Sequence, residues 1–240
     1  LNNTPTLKHY VTAFGIDWTE HGILWSGRAW SSFFTTLELA AIAAPFTAAI
    51  GLITAYLLNR QHFIGKGAFE FVTMLSFAIP GTVIGVSYIV AFNVPPIELT
   101  GTGLILIICF VFRNMPVSIR AGLATLSQID KSLDECSLTL RHGSFATLCR
   151  VILPLLRPAI IASLVYAFVR AITSVSAVIF LVSAQYNLAT AYIVGRVEVS
   201  DFGVAIAYSS VLIVCMMLAI GIIQLSVGEQ RRARRGGPIP

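Results

Sequence analysis

The chain has 240 residues, 56% hydrophobic and 11% charged, with a formal net charge of +5, whereas an ordinary soluble domain carries about 25% charged residues. With a mean hydropathy of +0.83, this composition excludes an ordinary soluble globular domain and places the chain in the membrane class. Four arginines, Arg231, Arg232, Arg234 and Arg235, gather near the end. Beside so much apolar sequence they fit an anionic cytoplasmic membrane surface better than a nucleic acid.

Residues 1–30 mix polar and aromatic side chains, among them Tyr10, Trp18 and Trp30, and are too polar to span. The tryptophans suit a membrane–water boundary, so this segment reads as external or interfacial, a short surface helix leading into the bilayer. The transmembrane region then runs over 31–228, and residues 229–240 form a basic tail.

Crossing about 30 Å of hydrocarbon takes about 20 apolar residues. The runs near 33–58, 68–92, 103–123, from Pro154 to about Phe180, and 204–227 meet that length, giving an all-α polytopic protein of about five spans. The third is weakened by Arg113, Asn114 and Pro116.

With the N-terminus outside, the inner loops and tail hold eleven Lys and Arg and the outer segments three, namely Lys8, Arg28 and Arg196. That bias predicts N-out, C-in, with the 130–155 loop in the cytoplasm. A first residue other than Met fits a fragment or the later half of a longer polypeptide.

The loop is the longest polar interruption of the chain. Asp130 or Ser132 can cap a helix whose first turn carries Asp134 and Glu135, where carboxylates favour the helix dipole. Leu133, Cys136 and Leu140 form an apolar stripe. Gly143 fits a helix stop, and Phe145, Leu148, Val151 and Ile152 make a second amphipathic turn. Leu153-Pro154 then kinks the chain into the bilayer, since proline is tolerated at a helix start.

Within the spans, Pro80-Gly81 interrupts the second run. Interrupted membrane helices free backbone groups that can line a substrate path. The same residues also read as a tolerated kink with Gly81-x-x-x-Gly85 as a close helix contact. Arg113 and Arg170 fall inside the third and fourth runs, where a charge costs roughly 2.5–3.5 kcal/mol on insertion scales and must face protein, a water-filled path or the interface. Tyr192 and Tyr208 read as aromatic packing in preference to metal ligands. The cysteines Cys109, Cys136, Cys149 and Cys215 lack CxxC spacing, and no metal site is predicted.

Gly65-Lys66-Gly67 lacks the upstream glycine and the hydroxyl of a phosphate-binding loop, and no G-x-S-x-G or H-E-x-x-H is present. No catalytic residue and no cofactor of its own are predicted.

From Glu135-Cys136-Ser137 to Leu153-Pro154, the loop resembles the EAA loop of binding-protein-dependent ABC importer permeases. Cys136 stands where the motif usually has Ala, and Arg141 stands at the motif glycine, with Gly143 two residues on. The stretches Ala78–Asn93, Ser176–Ser183, Ala189–Glu198 and Ala205–Val214 are similar to ferric-iron permeases. Thiamine, polyamine and phosphonate permeases share much of the pattern.

The resemblance implies a type I importer fold and an inner-membrane location. It also implies coupling to a cytoplasmic ATPase through Asp134, Glu135, Cys136, Ser137, Leu140, Arg141, Gly143, Leu153 and Pro154. The expected partners are that ATPase, which uses the ATP, a second permease half, an extracytoplasmic binding protein and membrane lipid. Pro80, Gly81, Arg113, Asn114 and Arg170 are the candidate translocation-path residues. The rival reading is a secondary transporter without an ATPase, against which stands the lack of a buried carboxylate within the spans.

Overall fold

The computed structural model describes residues 7–19, 22–24, 26–27, 29–130, 132–139 and 143–235. A short helix, α1 (Lys8–Phe14), lies in the segment read as interfacial, and an antiparallel hairpin of β1 (Asp17–Thr19) and β2 (Gly22–Leu24) follows it. Helix α2 (Trp30–Arg60) forms the first predicted span.

The second predicted span is two helices, α3 (Lys66–Ala78) and α4 (Gly81–Phe92), bent by 108° at the break. Pro80 offers no N–H and disfavours a helical residue before it, and Ile79 is extended accordingly, with ψ 132. A second hairpin, β3 (Asn93–Val94) with β4 (Ile97–Glu98), encloses a cis peptide bond before Pro96.

Helix α5 (Gly103–Leu126) runs unbroken through Pro116. Proline there removes a donor from the carbonyl of Phe112, four residues back. The Ser76 hydroxyl donates to that same carbonyl at 3.0 Å, so a neighbouring helix satisfies the freed oxygen, which is how membrane helices tolerate internal proline.

Beyond the polar loop come α6 (Ser132–Thr139), α7 (Ser144–Thr147), a π-helical turn (Leu148–Ile152) and α8 (Leu153–Leu155). The fourth predicted span is realised as α9 (Arg157–Ile172), which ends well before Phe180; a 3₁₀ turn covers Val178–Phe180. Helix α10 (Ala189–Glu198) precedes α11 (Phe202–Arg235). Helices α2 and α5, and α11 as far as Ile222, are each long and apolar enough to cross a membrane, and the two bent pairs raise the count to as many as five.

Contacts divide the chain into two compact units. The first comprises Leu1–Ala41, Pro80–Cys109 and Ala171–Ile222. Here Phe14 meets Trp30 and Tyr208 edge-on at 5.1 Å, and Tyr208, fully buried, shares a 2.9 Å hydrogen bond with the Ser32 hydroxyl. The Thr36 hydroxyl accepts the Ala189 N–H at 2.7 Å, which satisfies an orphan donor at the start of α10. Gly85 is pressed against the Ala177 carbonyl, where a Cβ would also stand 3.2 Å from the Phe180 ring. The close contact expected of the Gly81-x-x-x-Gly85 pattern is therefore made at Gly85, against the segment after α9.

The second unit comprises Ile42–Ile79, Phe110–Arg170 and Ile223–Pro240. Its core joins Leu52, Ala55 and Leu58 of α2, Met115, Ile119 and Leu126 of α5, and Ile152, Leu156 and Ala159 beyond the loop. Small residues set the approach of α2 to α5. A Cβ on Gly51 would collide with Ser118, and one on Gly122 would lie 2.6 Å from the Ala55 methyl. Gly51-x-x-x-Ala55 thus meets Ser118-x-x-x-Gly122 in the small-xxx-small manner of membrane helices. Because 51 pairs with 118 and 55 with 122, the two helices run parallel.

Candidate functional site

The polar loop is built so that one arm is exposed and the other is anchored. Its entry is fixed from below by Arg60, in the last turn of α2, whose guanidinium donates to the Ile129 carbonyl at 3.0 Å. Asp130 is the cap of α6: its carboxylate accepts the Ser132 N–H at 2.9 Å. That backbone bond, with the Ser132 hydroxyl and the Arg60 charge adding to it, holds the Asp130 carboxyl below its usual range.

Helix α6 presents Ser132, Leu133, Cys136 and Thr139 to solvent while Ser137 is buried. The Ser137 and Thr147 hydroxyls are 2.7 Å apart, and Thr147 donates to the Gly143 carbonyl at 3.3 Å. The side chains of Asp134 and Glu135, and Leu140 and Arg141 entirely, lie outside the described residues.

Gly143 opens α7: its carbonyl accepts the Thr147 N–H at 3.1 Å, while residues 140–142, between it and α6, lie outside the described residues. The kink is displaced. Pro154 sits inside the helical run, and the 67° bend falls at Leu156, between α8 and α9. Two prolines explain this. Pro154 cannot donate to the carbonyl of Arg150, and the turn before it widens, with the Leu153 N–H reaching back to Leu148, a π-type bond. Pro158 restrains Arg157, the residue before it, and has no donor for Pro154, so the helix breaks just ahead.

The second arm is rooted in the core of the second unit. Ile152 and Leu156 are buried, and Leu148 and Val151 pack against the same cluster. Leu153 and Cys149 line an apolar cleft of about 460 Å³ whose other wall is Leu52, Ile53 and Tyr56 of α2. A displacement of the α7–α8 arm therefore bears directly on α2 and α5.

The candidate path residues fall in different units. Pro80 and Gly81 belong to the first, with Gly81 buried at the start of α4. Arg113, Asn114 and Arg170 belong to the second. Asn114 is buried, and Nη1 of Arg113 is buried with no hydrogen-bond partner among the described residues. Arg170 is exposed near the end of α9. Nearby, Met74, Phe77, Pro116 and Arg120 line a second cavity of about 440 Å³. Among the described residues no cluster of three His, Cys, Asp or Glu could hold a metal. Tyr192 and Tyr208 meet edge to face with ring centroids 5.4 Å apart, and Arg196 lies 4.9 Å over the Tyr192 ring.

The sequence reading missed Thr147, Ser76 and the Gly51/Ala55–Ser118/Gly122 contact. The last has a legible signal, small residues four apart on two spans; the first two depend on tertiary placement.

Residues 47–231 match the family described as "Binding-protein-dependent transport system inner membrane component". The chain is 51% identical over 228 residues to the ferric transport system permease protein FbpB of Actinobacillus pleuropneumoniae, covering 95% of this chain and 32% of that one. It is 52% identical over 192 residues to the putative ferric transport system permease protein FbpB 1 of Haemophilus influenzae, covering 80% of this chain and 29% of the relative. The chain thus spans about a third of the length of these curated relatives. Among solved structures, a bacterial ABC transporter involved in the import of the acidic polysaccharide alginate shares the fold, with a TM-score of 0.73 at 17% identity over 96% of this chain and 85% of that one.

Proposed function

The chain belongs to the family of binding-protein-dependent transport system inner membrane components, and on that premise we propose that it is a permease part of an ATP-driven importer of ferric iron. The observation that carries the proposal is the family match across residues 47–231, which contains the whole 130–155 loop and the helices its second arm is packed into. The names of the two relatives above supply the cargo, ferric iron.

In this reading the exposed α6 docks in a groove of a cytoplasmic ATPase through Asp134, Glu135 and Cys136, with Leu140 and Arg141 assigned to the same contact by the motif. ATP hydrolysis belongs to that partner. ATP-driven closure of the ATPase pulls on α6, and the α7–α8 arm passes the motion to α2 and α5 through Ile152 and Leu156. The helices tilt as rigid bodies and alternate access to a path between this half and a second permease half. An extracytoplasmic binding protein delivers the cargo. The Lys and Arg distribution supports an orientation with the N-terminus outside and the C-terminus in the cytoplasm.

Arg113, Asn114 and Arg170 in the second unit are proposed path residues, and the broken helix at Pro80-Gly81 in the first is proposed on its own account. Two arginines do not suit a bare Fe³⁺; they suit a ferric ion carried with an anion, whose negative charge they would face in a low-dielectric passage.

The test is uptake of radiolabelled ferric iron into proteoliposomes holding the full-length transporter, ATPase and binding protein. Uptake that requires ATP and the binding protein, and is lost with Glu135→Lys together with ATPase pull-down, supports the reading. ATP-independent uptake, or none, overturns it.

A further inference from the structure

Ser137 lies in the motif that would face a partner, yet its side chain points inward. It is 6% exposed, its hydroxyl is 2.7 Å from that of Thr147, and Thr147 is 3% exposed. Each hydroxyl has one proton to give. Thr147 directs its proton to the Gly143 carbonyl, so the proton in the shared bond comes from Ser137. The chain of donors runs Ser137 to Thr147 to Gly143, with no proton used twice.

Among the described residues this is the hydrogen bond that joins α6 to α7. The covalent connection between them passes through residues 140–142, outside the described residues, and an added Cβ at Gly143 would meet nothing within 4 Å. An eight-residue helix is marginal alone in water, so α6 holds its place through what it is fastened to. Thr147 is well chosen for that, since it immediately precedes the π-helical turn whose Leu148 and Ile152 are seated in the core.

Resting on the permease reading above, we propose that Ser137 and Thr147 form a positioning latch. It fastens the docking helix to the rooted arm, so that displacement of α6 reaches α2 and α5 instead of being absorbed in the turn at Gly143. Ser137 is then a positioning residue and not a docking residue, and Thr147 is its partner.

The test uses the complete reconstituted transporter with Ser137→Ala, Thr147→Val, the two combined, and Thr147→Ser. The quantity read is ferric iron imported per ATP hydrolysed, with ATPase co-purification as the control for docking. Both single variants retain the ATPase and lower the ratio roughly three- to tenfold, the range spanned by losing one buried hydrogen bond. The double variant is no worse than either single one, as expected of two groups sharing one interaction. Thr147→Ser, which keeps the hydroxyl, stays near wild type.

A spin label on Cys136, exposed on α6, gives a readout independent of transport: it becomes more mobile in both single variants and not in Thr147→Ser. Single variants with unchanged ratio and unchanged label mobility overturn the latch, as do losses that multiply in the double variant. A wild-type complex without ATP-dependent uptake overturns the permease reading itself, and the latch with it; ATP-dependent uptake with an unchanged ratio and mobility overturns the latch alone.

Discussion

Gly51→Ala tests the packing on which any lever action would depend. The added Cβ collides with the Cβ of Ser118 and stands 3.2 Å from the Met115 carbonyl oxygen and 3.3 Å from the Ile119 nitrogen. All three neighbours are fixed to the α5 backbone, so none can rotate away and the helices must part. Overpacking of this kind costs about 1–3 kcal/mol. Lipid tails are as apolar as the side chains, so no hydrophobic gain offsets the lost contacts. At about 2–4 °C per kcal/mol for a chain of this size, thermal unfolding in detergent should fall by roughly 2–12 °C.

Ser118→Gly removes the colliding Cβ. Its hydroxyl is buried without a hydrogen-bond partner among the described residues, so its loss costs little beyond the roughly 1 kcal/mol of a helical glycine. The double variant should therefore melt close to Ser118→Gly alone, a coupling of about 1 kcal/mol or more. An unchanged melting temperature for Gly51→Ala, or a double variant that loses the sum of both, would refute the reasoning.

Arg113→Met should leave thermal stability unchanged or raise it, because it removes a buried unpartnered N–H, while lowering ferric iron uptake; unchanged uptake removes Arg113 from the path. Ile152→Ala, at a fully buried site where the loop is rooted, should cost about 2–5 kcal/mol, read as a lower unfolding temperature of the purified transporter. Asp130 has a depressed folded pKa, so its capping contribution is present at neutral pH and disappears as pH falls below the usual carboxylate value of about 3.9. A spin label on Cys136 should accordingly gain mobility on acidification, and Asp130→Asn should flatten that step.

The long spans α2, α5 and α11 were legible because hydropathy over some twenty residues reports directly on burial in lipid. Pro116 looked like an interruption of α5 and is not one, because the Ser76 hydroxyl that completes the Phe112 carbonyl comes from 36 residues away. Pro80-Gly81 marked a break correctly, but the 108° angle depends on how α4 packs, with Gly85 against Ala177, which no local rule contains. The bend after the polar loop was placed at Pro154; the structure moves it to Leu156, because two prolines act together and the π-type turn absorbs the effect of the first. In the candidate site, Asp130 as one of two possible caps of α6 followed from spacing alone, whereas the stripe read at Leu133 and Cys136 is exposed. The inward Ser137 and its partner Thr147, ten residues on, did not follow from spacing, since they depend on the loop folding back upon itself. The hairpin at 17–24 also went unseen, its strands being too short to show alternation.

The central claim, that the 132–154 loop is the handle of a nucleotide-driven partner, can be tested through a residue the protein already offers. Cys136 is exposed on α6, so a photoactivatable maleimide placed there in a variant whose other cysteines are replaced samples whatever that helix touches. In inverted membrane vesicles containing the whole transporter, light should crosslink Cys136 to the ATPase subunit, and excess unlabelled ATPase added to stripped vesicles should restore the product. Labelling of Cys136 only from the extracytoplasmic side, or a label reached from the cytoplasm that never captures the ATPase, would contradict the account.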